Sequence, residues 1–271
     1  MPFWSCRITG RYSVLHVNSL KKRIKAGDKL YGAWLAFPDA GVAELMAHAG
    51  YDFLVLDNEH GAASLETAVD VMRACDATGC PLVIRVPWND HVYIKRILDA
   101  GATSLMIPML ENADEARAAI DACRYPPQGK RGYAAKAQRC TRWGMWPDYL
   151  DRWSDELLVI GQIESATAAR NAKSIAEVDG IDIVLIGIND MGGSIGHLEE
   201  GLAHAEVAKV VHEAEAGIRA GGKPMATVPS AMRNTAELFE AGYQMVAGAV
   251  DSMLLAGAAR ADIEAVRKVK G

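Results

Sequence analysis

The chain has 271 residues, 50% of them hydrophobic and 23% charged, with a formal net charge of −5. This composition excludes a disordered or membrane-embedded chain and fits one large soluble domain. No long basic run argues for a nucleic-acid partner, and no apolar stretch is long enough to span a membrane.

Cys6, Cys75, Cys80, Cys123 and Cys140 form no CxxC pair, which reads as reduced thiols in a cytoplasmic protein without a disulfide framework or zinc site. Residues 1–19 lack the apolar segment of a signal peptide and read as an N-terminal extension. Residues 20–271 read as a single domain, since no linker divides them.

Short apolar runs then recur along the chain. They cover 31–36, 52–57, 81–86, 104–109, 157–164, 182–187, 223–228 and 243–249. Such runs suit strands covered on both faces. Between them lie segments of helical period: Val42, Leu45, Met46 and Ala49; Leu65, Ala68, Val69 and Met72; Val207, Val210, Val211 and Ala214. Ser64 with Glu66, and Asn112 with Glu115, mark helix starts. Gly50, Gly79, Gly101, Gly180 and Gly242 stand just before strands, where helices end. Eight strands alternating with helices predict an α/β protein with a (β/α)8 TIM barrel. The rival, an open doubly wound sheet, lacks a GxGxxG after its first strand. The connection through residues 124–153 is the longest, and that length points to a functional segment.

In such a barrel the chemistry lies at the C-terminal ends of the strands. The second run ends in Asp57, Glu59 and His60; the third carries Arg85; the fifth ends in Gln162 and Glu164; the sixth leads into Asn189 and Asp190. Glu164 and Asp190, from consecutive strands, are either helix caps or two hard oxygen ligands for Mg²⁺ or Mn²⁺. With His60 and Arg85 on the same face, the metal reading is favoured. His60 is a candidate general base, with Asp57 placed to fix its tautomer. A guanidinium within an apolar strand needs an anion, so Arg85 binds either a substrate carboxylate or Asp57 or Glu59. The one lysine in these runs, Lys223, starts the seventh, on the wrong face for a Schiff base. In the loop "MGGSIGHL" (191–198), His197 is either a second base or, the favoured reading, a polar loop residue.

The segments "GAWLAFPDAGVAELMAHAGYDFLVLDNEH", "RVPWNDHVYIKRILDAGA", "IPMLENADEA", "RYPPQGKRG" and "QIES" resemble the HpcH/HpaI aldolases over nearly the whole chain. The resemblance implies a phosphoenolpyruvate/pyruvate-type barrel and a class II aldolase. The reaction would be reversible cleavage of a 4-hydroxy-2-oxo acid to pyruvate, or a close α-oxo acid, and an aldehyde. It implies His60 as base with Asp57, and Arg85 on the substrate carboxylate. Glu164 and Asp190 would hold Mg²⁺ (or Mn²⁺ or Co²⁺), with Glu59 reaching the metal through water. Trp34, Gln162, Gly187, Ile188, Asn189 and Val228 would line the substrate pocket. The family is usually hexameric, a trimer of dimers, so active sites at subunit interfaces are expected, with Asp99 completing a neighbour's site.

Three segments depart from the family pattern, one of them Gly192-Gly193-Ser194 in place of an alanine-rich turn. Gly187-Ile188-Asn189-Asp190-Met191 stands where Gly-Pro-Ser-Asp-Leu is typical, and Asn58 stands where Asp-Gly-Glu-His has its glycine. Decarboxylation of oxaloacetate, condensation of the enolate with another acceptor, and a barrel that binds α-oxo acids without turnover are the alternative readings.

Overall fold

Eight parallel strands pair in sequence order and close into a barrel: β1 (Leu30–Leu35), β2 (Phe53–Asp57), β3 (Leu82–Arg85), β4 (Ser104–Ile107), β5 (Leu158–Ile163), β6 (Ile183–Ile186), β7 (Met225–Thr227) and β8 (Tyr243–Val250). Closure is made by β1 on β8, with Leu30 opposite Met245, which rules out the open sheet. Every strand expected from the apolar runs is present, its ends within two residues of the expected ones. The computed structural model describes residues 17–270.

Between the strands lie α2 (Ala40–His48), α3 (Leu65–Thr78), α4 (His91–Asp99), α5 (Ala113–Cys123), α6 (Tyr149–Glu156), α7 (Ala166–Ala176), α8 (Ile188–Gly193), α9 (Ala205–Ala220) and α10 (Thr235–Glu240), and α11 (Asp251–Lys270) follows β8. The expected caps form. Ser64 accepts from the N–H of Thr67, and Asn112 from those of Asp114 and Glu115. The five glycines expected at helix ends all take positive φ, from 75° at Gly79 to 109° at Gly101.

Side chains alternate across each strand, so two cores form. Phe53, Val55, Val83, Met106, Leu158, Ile160, Ile183, Leu185, Ala226 and Met245 fill the barrel. Leu54, Leu56, Ile84, Leu105, Val159, Ile163, Val184 and Ile186 face the helices. The lower end of the barrel is plugged by α1 (Ser19–Lys25), which adds Leu20 and Ile24 to the inner core. Asn18 caps α1 and donates to Thr103 O and Ser104 Oγ, both at 2.9 Å. Of the extension expected over residues 1–19, residues 1–16 lie outside the described residues, while Ser19 belongs to α1.

Two expectations change. Leu45 points to solvent, and α2 packs through Ala43 and Met46 instead. The long segment after α5 runs from a helix towards β5, so it lies at the N-terminal end of the barrel, away from the strand ends that carry the chemistry. There Arg139 binds the carbonyl of Ala100 and the carboxylate of Asp76. Among the described residues no helix is long and apolar enough to cross a membrane.

Candidate active site

Strand alternation decides which polar groups reach the barrel mouth. Two residues beyond Val55, Val83 and Ile160 stand Asp57, Arg85 and Gln162; Glu164 continues β5, Gly187 follows Leu185, and Val228 follows Ala226. Trp34 enters from β1 and packs on the inner core. The sequence therefore turns from apolar to polar at one level of one cavity.

The register of β2 on β3 sets Asp57 beside Arg85. Arg85 Nε donates to Asp57 Oδ1 at 2.9 Å, and its Nη2 to Oδ2 at 2.7 Å. Its Nη1 lies 3.0 Å from Glu59 Oε2, but off the line of a hydrogen bond, so this buried oxygen has no donor. The guanidinium also stacks 4.6 Å from the Trp34 ring, whose Nε1 donates to Ala247 O at 3.1 Å. Asp57 Oδ1 further accepts from the main-chain N–H of Glu59 and of His60, at 3.0 and 3.2 Å. These bonds wind the 57–61 turn so tightly that a Cβ on Gly61 would lie 2.1 Å from Asp57 O.

These contacts bear on two expectations. Arg85 pairs with Asp57 and lies against Glu59. Asp57 meets His60 through the main chain, so the expected Asp57–imidazole pair is replaced by the Asp57–Arg85 pair. The reason is geometric: alternation turns Asp57 inward towards Arg85, while His60, three residues on, is exposed.

Burial pushes the Asp57 carboxyl up, but the Arg85 hydrogen bonds and charge outweigh it and hold it below its ordinary value. Glu59 goes the other way. Burial raises it, Arg85 and His60 pull it down, and Asp57 and Asp190 push it up again, with a net rise. Glu164 is pushed up to about 7, first by burial and then by the charges of Glu59 and Asp190, against hydrogen bonds from Met109 and Gln162. Its Oε1 accepts from Met109 N at 3.0 Å and its Oε2 from Gln162 Nε2 at 2.6 Å. A Cβ on Gly187 would come within 2.6 Å of Glu164 Oε2, so only glycine leaves this carboxylate its place.

A divalent cation fits this set. The charges of Glu59 and Asp190 help to raise Glu164, that of Asp190 helps to raise Glu59, and Glu59 Oε2 and Gln162 Oε1 are buried acceptors without hydrogen-bond donors. A cation would neutralise the first and answer the second, and an all-oxygen set suits Mg²⁺ or Mn²⁺. Glu164 and Asp190 can hold it, with Glu59 beside them.

The remaining expected residues divide. Asn189 and Asp190 are exposed in the first turn of α8, and Val228 is half-buried just past β7. The Ile188 side chain is 3% exposed and belongs to the core under the helices, so it does not line the cavity. Asp99 ends α4, at the opposite end of the barrel from this chain's own site, and its Oδ1 accepts from Arg131 Nη2 at 2.6 Å. His197 is bound to Glu200 and stacked on His204 with ring centroids 3.4 Å apart. His197, His204 and Glu206 offer ligand atoms within 4.8 Å of one another near the surface. Met109 was not foreseen. It acts through its N–H with φ at 54°, which no side-chain pattern encodes.

The comparisons agree with this architecture. The HpcH/HpaI aldolase/citrate lyase family model matches residues 30–258. A 4-hydroxy-2-oxo-heptane-1,7-dioate aldolase of Salmonella paratyphi C is 42% identical over 248 residues, covering 90% of this chain and 92% of that protein. A like-named aldolase of Escherichia coli is 38% identical over 244 residues, 90% of this chain and 93% of that one. The crystal structure of an HpcH/HpaI aldolase/citrate lyase family protein from Burkholderia cenocepacia J2315 superposes with a TM-score of 0.87 at 34% identity, covering 92% of this chain and 99% of that one. With its carboxylates and guanidinium gathered at the mouth of a closed eight-stranded barrel, this chain belongs to the HpcH/HpaI aldolase/citrate lyase family and is an aldolase-type carbon–carbon lyase.

Proposed function

We propose that the chain cleaves a 4-hydroxy-2-oxo acid reversibly to pyruvate, or a close α-oxo acid, and an aldehyde, using Mg²⁺, Mn²⁺ or Co²⁺ at Glu164 and Asp190. The observation that carries this reading is the meeting of Glu59, Glu164 and Asp190 beside the Arg85 guanidinium at one barrel mouth. Similarity to aldolases of 4-hydroxy-2-oxo-heptane-1,7-dioate supports a dicarboxylic substrate, whose aldehyde product would itself carry a carboxylate.

When bound, the cation supplies Lewis acidity towards the oxo group of the substrate. Arg85, held in place by Asp57 and Trp34, offers its remaining N–H groups to the α-oxo acid. His60 stands at the rim and takes the proton of the 4-hydroxyl. The C3–C4 bond then breaks, and its electron pair passes into the C2–C3 unit. An aldehyde and the enolate of pyruvate result, and a proton returned to C3 gives pyruvate.

The active form is proposed to be a homo-oligomer. The helix α11 extends from the barrel, touching mainly β1 and β8, and exposes Met253, Leu254, Leu255, Ile263 and Val266. A helix that exposes this many apolar side chains calls for a second copy to cover them. Asp99, remote from its own chain's site, would serve a neighbour's. Proton NMR of pyruvate in D₂O tests the core of this reading. Methyl exchange that needs Mg²⁺ or Mn²⁺ and stops with a chelator is expected; no exchange with either metal rejects pyruvate as the enolate donor.

A further inference from the structure

The turn that carries Glu59 and His60 is held from two sides. Inside the barrel Asp57 and Arg85 grip it. On the outside the contact is made by Asn58, which alternation turns away from the cavity and towards α4. Asn58 is 5% exposed, its N–H donates to Arg85 O at 3.0 Å, and its Nδ2 donates to Tyr93 Oη at 2.6 Å. Its Oδ1 is buried with no partner. A phenolic hydroxyl both donates and accepts, so exchanging the amide's oxygen and nitrogen keeps the contact with Tyr93 and merely moves the unpartnered atom. Tyr93 is thus the one protein partner of a buried carboxamide among the described residues. A carboxamide that lost it would be driven to find water, and the turn would move with it.

We propose that Tyr93 is a positioning residue: by holding Asn58 against α4 it fixes the 57–61 turn and so aims His60 and Glu59 at the barrel mouth. The roles of His60 and Glu59 rest on the aldolase reading; the positioning does not. The glycine that the family pattern places at position 58 would have no carboxamide to satisfy and no need of a tyrosine at 93.

The test uses the full-length chain and the variants Y93F, N58G and N58G/Y93F, each labelled with ¹³C-histidine. The Y93F variant is expected to move the His60 ring signal and leave that of His212 on α9 in place. It is expected to lower kcat for metal-dependent pyruvate exchange about 10-fold, with KM little changed. In the N58G background Y93F should add no further loss, because the group it strands is gone. An unmoved His60 signal, additive losses in the double variant, or a lower Tm with unchanged kcat would each overturn the proposal. If the His60 signal moves in Y93F but the wild type exchanges no pyruvate protons, the positioning stands and the aldolase reading falls.

Discussion

Asp57 and Arg85 face each other on neighbouring strands as a two-pronged ion pair, at 2.9 and 2.7 Å, with both side chains buried. The fork gives the guanidinium a fixed plane, and Trp34 lies against it. Lysine would keep the charge but not the fork. The Arg85→Lys variant is expected to fold and to lose pyruvate exchange on the order of 100-fold, since one point donor replaces a planar array. Steady-state kinetics with a thermal melt check this. Exchange within twofold of wild type would show that the fork is dispensable.

A second expectation concerns pH. Glu164 is raised to about 7 from an ordinary value of 4.5. The metal-free folded chain therefore binds this proton more tightly than the unfolded chain does. The stability it contributes is complete below about pH 4.5 and is lost as pH rises through about 7. In chelator, Tm should fall over that window more steeply for wild type than for Glu164→Gln, which has no proton to lose. Added Mn²⁺ should raise the wild-type Tm more above the window than below it. Parallel Tm curves for the two proteins would refute the assignment.

The barrel and the level of its active site were legible because both depend on a two-residue period. Apolar runs ending in Asp57, Arg85, Gln162 and Glu164 carry strand, face and depth in one pattern. Contacts set by register were not legible. Nothing in the sequence settled that Asp57 would pair with Arg85, because that depends on which residues of β2 and β3 stand side by side. Main-chain roles such as that of Met109 N–H leave no mark on side-chain type. Leu45 matched a helical stripe and still faces solvent, which a stripe counted on one helix does not reveal.

His60 and Glu164 should separate by their losses. His60 is exposed, and its described hydrogen bond is made by the main chain, so His60→Ala removes neither a core contact nor a metal oxygen. It is expected to keep metal affinity and Tm while cleavage falls by about 100-fold or more. The Glu164→Ala variant should lose both binding and turnover. Calorimetric titration with Mn²⁺ beside an aldehyde-release assay reads the two. Near-normal cleavage by His60→Ala would move the base elsewhere.

The last expectation follows from where Asp99 sits. It ends α4 beside Arg131, whose side chain is fully buried and lies 4.5 Å from the Tyr125 ring and 4.8 Å from that of Trp153. Asp99→Asn keeps an acceptor for Arg131 but loses the charge, so a lower Tm is expected. If Asp99 serves a neighbour's site, Asp99→Asn and His60→Ala are each inactive for reasons that lie in different subunits. Dissociated together and reassembled in equal amounts, they should regain about a quarter of wild-type activity, since a random assembly leaves that fraction of sites with both groups intact. Activity that stays at the level of the separate variants would place Asp99 in its own chain's stability alone, as the anchor of Arg131.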